Sequence, residues 1–300
     1  MRIVISGASG MIGTALMQCL EQAESEVIRL VRREPISAAE VRWDPSSGYL
    51  NAAALSGADA IVNLSGASLS RLPWTPRRRT EIVRSRVRAT ETLVTALHEL
   101  HDRGETVPAL VSGSAVGFYG SRPDENLTEA SAPGVGFLSD VVCRWEKAAL
   151  SAPSTARVVL ARTGIVLGAG GALRPLRRAA NLGLAGPVGG GHQYWPWISL
   201  RDEAAALAHL TRSALSGPVN VVGPVPATAT ELVQALAREM HRPYWLPLPA
   251  VAVKAVLGQA GRELLLADQR VLAEALLADG FNFQDATVVD AISNAQPPDR

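Results

Sequence analysis

The first thirteen residues constrain the fold more than any other stretch, because three regularly spaced glycines directly follow a short apolar run. The run covers residues 3–5, and Gly7, Gly10 and Gly13 lead into an apolar helical pattern. The first glycine allows a tight turn, the second lets a pyrophosphate approach the main chain, and the third lets helix and strand pack closely. The helix N-terminus then presents free amides and a positive dipole end to phosphate. This order of strand, turn and helix predicts nucleotide binding, against the alternative of a purely structural turn.

Composition sets broad limits on the class of protein and on its partners. The 300 residues are 47% hydrophobic with a net charge of +1, which suits a globular chain of one or two domains and gives no overall field for nucleic acid. No apolar run reaches the roughly 18 residues of a membrane span, and the two cysteines match no metal-ligand spacing. A core strand at the start leaves no room for a signal peptide. We therefore expect a cytoplasmic protein with a small-molecule substrate and without metal, nucleic-acid or membrane partners.

The second predicted strand, residues 26–31, ends in two arginines, Arg32 and Arg33. In a dinucleotide-binding sheet this position meets the adenosine ribose, and an acidic residue here would favour NAD. Guanidinium groups instead suit the 2′-phosphate of NADP, which they bind through charge-assisted hydrogen bonds. The sequence therefore predicts NADP, while an ordinary solvated strand end is the alternative explanation of the two arginines.

Further apolar runs alternate with helical patterns along the chain, at residues 41–44, 58–65, 108–114, 157–160 and 219–222. This alternation predicts an α/β fold, a Rossmann-like doubly wound parallel sheet with a smaller C-terminal α/β substrate cap. We place the NADP-binding unit at residues 1–168. Residues 169–300 are expected to be mainly cap and C-terminal helices, with residues near 196–225 rejoining the first unit.

Ligands of such sheets bind at the carboxyl ends of the strands, which makes the residues after each strand candidate contacts. Asp44 ends the third strand, beside the expected adenine position, and Leu64, Ser65 and Gly66 lie where the fourth strand ends. Further along the chain, helices are predicted to begin after the cap residues Thr75 and Thr228 and at Asp202, and arginines crowd the first half of the long helix after Thr75. A solvated face accounts for most of them, because no interleaved aromatic residues support nucleic acid; Arg86 is retained as a candidate cofactor contact.

Several motifs, in the right order, resemble the extended short-chain dehydrogenase/reductase superfamily of NAD(P)-dependent epimerases and dehydratases. Residues 6–13 look like its cofactor loop, residues 112–120 like its active-site strand, and residues 162–168 like the segment that lines the nicotinamide. Residues 193–197 and 269–271 are similar to an atypical branch sometimes labelled SulA-like epimerases. The predicted cofactor-binding residues are Gly7, Ser9, Gly10, Met11, Ile12, Gly13, Arg32, Arg33, Asp44, Leu64, Ser65, Gly66, Arg86, Arg162 and Thr163.

The sequence departs from the superfamily at its catalytic pair. A tyrosine and a lysine four residues later normally shuttle the proton, whereas Phe137 and Val141 occupy the matching positions here. The resemblance leaves Ser114 as the hydroxyl that contacts the substrate oxygen. Tyr119 is either a substitute acid or an ordinary packed tyrosine. The neighbouring candidates for this chemistry are Arg162, Cys143 and Glu146.

Two functions follow from these observations. The first is an NADP-dependent oxidoreductase or epimerase that acts on a small carbonyl or sugar-like substrate, with Ser114 and Tyr119 as catalytic residues. The second is a non-catalytic module in which bound NADP sets the shape of the cap for a partner. Loss of the tyrosine and lysine favours the second function, and the retained nicotinamide segment favours the first. A homodimer is compatible with either.

Overall fold

The computed structural model describes residues 1–295, so that the last five residues of the predicted cap lie outside it. Its strands are β1 (Arg2–Ser6), β2 (Glu26–Val31), β3 (Glu40–Asp44), β4 (Tyr49–Leu50), β5 (Ala60–Asn63), β6 (Ala109–Ala115), β7 (Asn126–Leu127), β8 (Val158–Thr163), β9 (Ile165–Leu167), β10 (Trp197–Ser199), β11 (Gly217–Val221) and β12 (Arg270–Val271). The helices are α1 (Met11–Gln22), α2 (Pro76–Asp102), α3 (Phe137–Ala149), α4 (Leu173–Asn181), α5 (Leu200–Arg212), α6 (Ala229–Glu239), α7 (Ala250–Leu264), α8 (Glu274–Ala278) and α9 (Val288–Ser293).

Eight strands form the main sheet, in the order β11-β8-β6-β5-β1-β2-β3-β4. Every pair is parallel except β3 with β4. The chain first builds outward from β1 through β2 to β3, and then returns to add β5, β6, β8 and β11 on the other side. This reversal at β1 is the topological switch point of a doubly wound sheet, which confirms the predicted fold class.

Helices cover both faces of the sheet because its strands are apolar on both sides. Ile3 and Ile5 pack into one core with α1 and α5, and the alternate residue, Val4, packs into a second core with α2. Helix α3 lies against α2 on that second face. The carboxyl edge of the sheet is therefore flanked by α1 and α5 on one side and by α2 and α3 on the other.

Side-chain caps fix several helix starts. Thr75 and Thr228 cap α2 and α6, at the positions where the sequence predicts these helices to begin. Helix α5 begins at Leu200, two residues before the predicted start at Asp202. The Ser199 hydroxyl accepts a hydrogen bond from the Asp202 amide, so Ser199 is the N-cap residue of α5.

A smaller apolar cluster surrounds Trp195 and Trp197, and α4, α6, α7 and α9 contribute to it. Strand β11 returns to the main sheet beside β8. Strand pairs β9–β10 and β7–β12 lie outside that sheet. The boundary at residue 168 stays a prediction. No helix within residues 1–295 is long and apolar enough to cross a membrane.

Candidate functional site

The glycine loop joins β1 to α1 at the carboxyl edge of the sheet. Gly7 has φ +77°, and a Cβ there would lie 2.8 Å from the carbonyl carbon of Leu64. A Cβ on Gly13 would lie 2.4 Å from the Gly7 carbonyl oxygen, so only glycine allows this approach of helix and loop. Both positions therefore require glycine for the fold itself.

Gly10 has a different environment from the other two glycines. It is the N-cap residue of α1, with φ −79°, a conformation open to any residue. Within residues 1–295, the only atom close to a Cβ at Gly10, chain neighbours and α1 backbone aside, would be the Gly7 carbonyl oxygen at 3.3 Å. The space in front of Gly10 is thus open, as a ligand approaching the backbone requires.

The first turn of α1 directly follows the glycine loop at the carboxyl edge of the sheet. No side chain in the described part of the chain caps it, and no acidic residue lies in it. Ser9 and Gly10 are exposed, and Met11 and Ile12 are half-buried at the start of the helix. Free amides and the positive end of the helix dipole therefore face the carboxyl edge, an arrangement that suits phosphate.

The two arginines after β2 have different surroundings. Arg33 donates to both oxygens of Glu40, at 2.8 and 2.7 Å, and the Glu40 side chain is only 1% exposed. The hydrogen bonds from Arg33 hold the pKa of Glu40 at about 2. Arg32 is exposed, and its side chain has no hydrogen bond or ion pair with the rest of residues 1–295. Of the two, Arg32 is the guanidinium that is available to an incoming phosphate.

The predicted contacts after β3 and β5 also lie at the carboxyl edge. Asp44 accepts hydrogen bonds from the Ser46 amide and hydroxyl and from Ser47, which lower its pKa and stabilise the turn after β3. Ser65 donates to the Ser6 hydroxyl at 3.1 Å. This contact joins the loop after β5 to β1, beside the glycine loop.

Arg86 extends from α2 towards the loop after β5. It donates to the carbonyl oxygens of Ala67 and Ile82, at 3.1 and 3.2 Å. A Cβ on Gly66 would lie 3.2 Å from the guanidinium carbon of Arg86. Burial, with Arg78 nearby, lowers the pKa of Arg86 to about 10, and no carboxylate in residues 1–295 pairs with it. An anion bound at this edge would supply the missing charge.

A buried polar network occupies the α3 side of β6 and β8. Ser114 donates to Glu146 Oε1 at 2.6 Å, and Arg162 forms two bonds to the same carboxylate, at 2.8 and 2.9 Å. All three side chains are nearly inaccessible to solvent. Burial disfavours the charge of Arg162, but its bonds to Glu146 outweigh that effect and raise its pKa. The Ser114 hydroxyl is therefore engaged by the protein itself.

Tyr119 belongs to this same network. Its side chain is fully buried, its hydroxyl donates to Asn220 Oδ1 at 2.6 Å, and Arg162 donates to that hydroxyl at 3.0 Å. Burial raises the pKa of the phenol. This placement favours the packed tyrosine over the substitute acid, and a role in proton transfer stays a prediction. Phe137 and Val141, in place of the tyrosine and lysine, are buried against Ile82.

The sequence reasoning did not single out Glu203. Its side chain is fully buried in the first turn of α5, and the Thr163 hydroxyl donates to its Oε1 at 2.8 Å. Oε2 is buried and has no hydrogen-bond partner among the described residues. Burial raises the pKa of Glu203 from 4.5 to about 8. The sequence does contain a signal for its burial. Glu203 precedes Ala206, Leu207 and Leu210 by three, four and seven residues, which places it on the apolar face of the helix.

Comparisons with known proteins cover nearly the whole chain. Residues 3–223 match the model of the NAD dependent epimerase/dehydratase family, and residues 248–295 match a domain of unknown function, DUF1731. Epimerase family protein MT2273 of Mycobacterium tuberculosis is 42% identical over 296 residues, which cover 98% of this chain and 97% of that protein.

Two solved structures share the fold. The crystal structure of human epimerase family protein SDR39U1 with NADPH has a TM-score of 0.88 at 32% identity, and the match covers 98% of this chain and 99% of that one. A nucleoside-diphosphate sugar epimerase from Corynebacterium glutamicum has a TM-score of 0.80 at 31% identity, and the match covers 98% of this chain and 57% of that one.

Proposed function

The chain belongs to the NAD dependent epimerase/dehydratase family, as its motifs predicted, and from that premise we propose that it binds NADP at the carboxyl edge of the main sheet. The observation that carries the proposal is the uncapped first turn of α1 behind an unobstructed Gly10. The NADPH in the human relative, whose fold covers 98% of this chain, supports the same assignment.

Each candidate contact has a separate task in this proposal. The amides at the start of α1 bind the pyrophosphate, and the exposed Arg32 binds the 2′-phosphate that distinguishes NADP from NAD. Arg86, which has no carboxylate partner within residues 1–295, binds a further anionic group beside Gly66. The bound dinucleotide supplies or accepts a hydride, so the protein has to position it against the substrate.

We infer that the substrate is a small carbonyl or sugar-like compound. The Corynebacterium relative, a nucleoside-diphosphate sugar epimerase, supports this class. By its resemblance to the family, Ser114 is the hydroxyl expected to contact the substrate oxygen, and it lies one residue before the end of β6, opposite Arg162 of β8. Because it donates to Glu146, Ser114 contacts a substrate oxygen only if that hydrogen bond is exchanged.

A second candidate function is a binding module without turnover. The buried network favours it, because Ser114 and Tyr119 are both hydrogen-bonded within the protein and Phe137 cannot titrate. In this case bound NADP stabilises one arrangement of the cap for a partner.

Binding and turnover are tested separately. Titration of the purified protein with NADPH, followed by cofactor fluorescence, should show saturable binding, and absence of binding would refute the proposal. A screen of carbonyl and sugar-nucleotide compounds, followed by the absorbance of the reduced cofactor, then distinguishes the two candidates. Net oxidation of NADPH supports an oxidoreductase, and conversion of a sugar nucleotide to its epimer, followed by chromatography, supports an epimerase, which returns its hydride and leaves the absorbance unchanged. Binding with neither change supports the module.

A further inference from the structure

We propose that Glu203, together with Thr163, links a proton to the redox state of the bound cofactor. In this mechanism the buried carboxyl releases its proton when the oxidised, positively charged nicotinamide binds, and keeps the proton when the neutral reduced form binds. The inference rests on the proposed function, because it requires a nicotinamide dinucleotide at the carboxyl edge of the sheet. It assigns Glu203 an electrostatic role, with the Thr163 hydroxyl as its hydrogen-bond partner.

The position of Thr163 follows from the strand register. Thr163 is the last residue of β8 and pairs with Ala115, the last residue of β6. Successive strand residues point to opposite faces, so Arg162 reaches Glu146 on the α3 side while Thr163 reaches Glu203 on the α5 side. The Thr163–Glu203 pair is therefore separate from the buried network around Ser114.

The sheet order indicates which half of a dinucleotide lies over this pair. The glycine loop follows β1, at the switch point, and Arg32 follows β2 on one side of it. With the adenosine half on the β2 side, the other half extends over the ends of β5, β6 and β8. A Cβ on Gly168 would lie 3.1 Å from a Leu200 methyl carbon and 3.2 Å from the Met11 sulfur, so the starts of α5 and α1 meet there. Glu203 lies one turn into α5 from this junction.

No positive charge in the described part of the chain compensates Glu203. Strands β5, β6, β9 and β10 carry no charged residue, and Glu21, the charged residue of α1, is exposed at its far end. Within α5, Arg201 pairs with Asp285, and Asp202 accepts hydrogen bonds from the amides of Gln284 and Asp285. The other charged or titratable groups of α5 and α1 lie six or more residues along α5 or near the end of α1: His209, which pairs with Asp279, the exposed Arg212, and Cys19. Arg162 is on the opposite face and pairs with Glu146. Among the described residues, the Thr163 hydroxyl is therefore the only group that stabilises a charge on Glu203. The burial of the side chain outweighs this hydrogen bond and keeps the carboxyl protonated.

The charge balance of the two cofactor forms gives the expected direction. The oxidised nicotinamide ring carries one positive charge, and the reduced ring carries none. A nearby positive charge lowers the pKa of an acid by about 1 to 3 units, so the carboxyl loses its proton to solvent as the oxidised form binds. Reduction of the ring by hydride removes that charge, and the carboxyl takes a proton back from solvent.

The measurement is the ratio of the dissociation constants of NADP⁺ and NADPH between pH 6 and pH 9. We expect this ratio to fall roughly ten-fold as the pH rises, which corresponds to a shift of about one pKa unit. The 2′-phosphate is present in both forms, so its titration cancels in the ratio. Calorimetry at pH 7 in two buffers of different ionisation enthalpy should show extra proton release for NADP⁺ alone.

Two variants separate the linked proton from a structural role. Glu203→Gln keeps the size of the side chain and an acceptor for Thr163 but cannot ionise, so the ratio should become independent of pH. Thr163→Val removes the hydrogen bond that lowers the pKa of Glu203. The ratio should therefore still depend on pH, but its fall should occur at a higher pH than in the parent. Asp279→Asn, in a loop that contacts His209 near the far end of α5, is the control and should match the parent.

The possible outcomes distinguish this inference from the proposed function. If the parent protein binds neither cofactor form, the proposed function fails and the inference fails with it. If the parent binds both forms and Glu203→Gln leaves the pH dependence of the ratio unchanged, the inference alone is overturned. Proton release is measured on the parent itself, so equal release with NADP⁺ and NADPH overturns the inference even if no variant folds.

Discussion

Three buried glutamates have three different kinds of hydrogen-bond partner, and their carboxyl groups differ accordingly. Glu40 forms ion pairs with Arg33 and Arg29, and its pKa falls to about 2. Glu146 forms a buried ion pair with Arg162. Glu203 has a hydroxyl and no cation among the described residues, and its pKa rises to about 8. The partner, more than the burial, therefore explains why the pKa of Glu40 falls and that of Glu203 rises.

Glu203→Gln should change how stability depends on pH. The folded state keeps the proton of Glu203 up to about pH 8, whereas the unfolded chain loses it near the ordinary value of 4.5. The free energy of unfolding therefore falls by about 1.4 kcal/mol per pH unit between these values, and this loss levels off above them. Relative to the parent, the variant should gain on the order of 3 kcal/mol from pH 5 to pH 7. Urea unfolding at both values measures the gain, and parallel changes in the two proteins would contradict it.

Arg32→Ser should reduce the preference for NADP over NAD. A charged phosphate contact contributes about 1.5 to 3 kcal/mol, which is a ten-fold or larger change in the ratio of the two affinities. Arg33→Ser is the matched comparison, because it should mainly lower stability by removing the partner of buried Glu40. Titrations with both cofactors, with unfolding curves alongside, separate these effects. If the ratio of NADP to NAD affinity is unchanged in both variants, neither arginine binds the 2′-phosphate.

At the scale of elements, the three glycines between β1 and α1 have different roles. Gly7 and Gly13 are required by the fold, whereas a Cβ at Gly10 would meet the Gly7 carbonyl oxygen at 3.3 Å, a tight but smaller overlap. Gly10→Val should therefore still fold, since φ is −79° there, at a cost of about 1 kcal/mol. It should weaken NADPH binding by about 100-fold or more through the loss of two charge-assisted hydrogen bonds. Gly13→Ala should instead destabilise the fold by about 1 to 3 kcal/mol. Calorimetry and thermal unfolding test both, and normal NADPH affinity in Gly10→Val would refute the loop assignment.

Tyr119→Phe distinguishes the two hypotheses for this tyrosine. Removal of the hydroxyl leaves Asn220 and Arg162 each without one buried hydrogen bond, so the free energy of unfolding should fall by about 1 to 3 kcal/mol. Because the phenol is buried and engaged, we expect less than a ten-fold change in turnover. A general acid contributes about 10² to 10⁴ in rate, so a loss of 10² or more would make Tyr119 the proton donor.

Local patterns in the sequence predicted most elements but not the pairs between them. The caps Thr75 and Thr228 are signals within four residues of chain, and they placed α2 and α6 correctly. The bond between Ser114 and Glu146 spans 32 residues, and the bond between Thr163 and Glu203 spans 40. Such pairs depend on strand order and on which helix covers which face. The sequence could therefore suggest Ser114 as a site residue but could not show that its hydroxyl is already engaged.

At the scale of the whole molecule, the segment that matches the domain of unknown function is part of a shared core. Leu276 and Phe281 pack in one cluster with Ile3 and Ile5 of β1. Glu263 of α7 accepts the amides of Phe137 and Leu138 at the start of α3. Two family models thus describe one interlocked structure, in which the C-terminal residues complete the interior of the dinucleotide-binding sheet.

Leu276→Ala should destabilise the whole chain in one transition. The side chain is fully buried in the core of the main sheet, and its truncation should cost about 2 to 5 kcal/mol. Far-UV circular dichroism and tryptophan fluorescence should shift together, because Trp43 reports the sheet and Trp195 the smaller cluster. Val256→Ala, at a side chain that is 80% exposed, is the matched control and should change stability by less than about 0.5 kcal/mol. Two separated transitions in the variant would show instead that the C-terminal segment unfolds independently of the sheet.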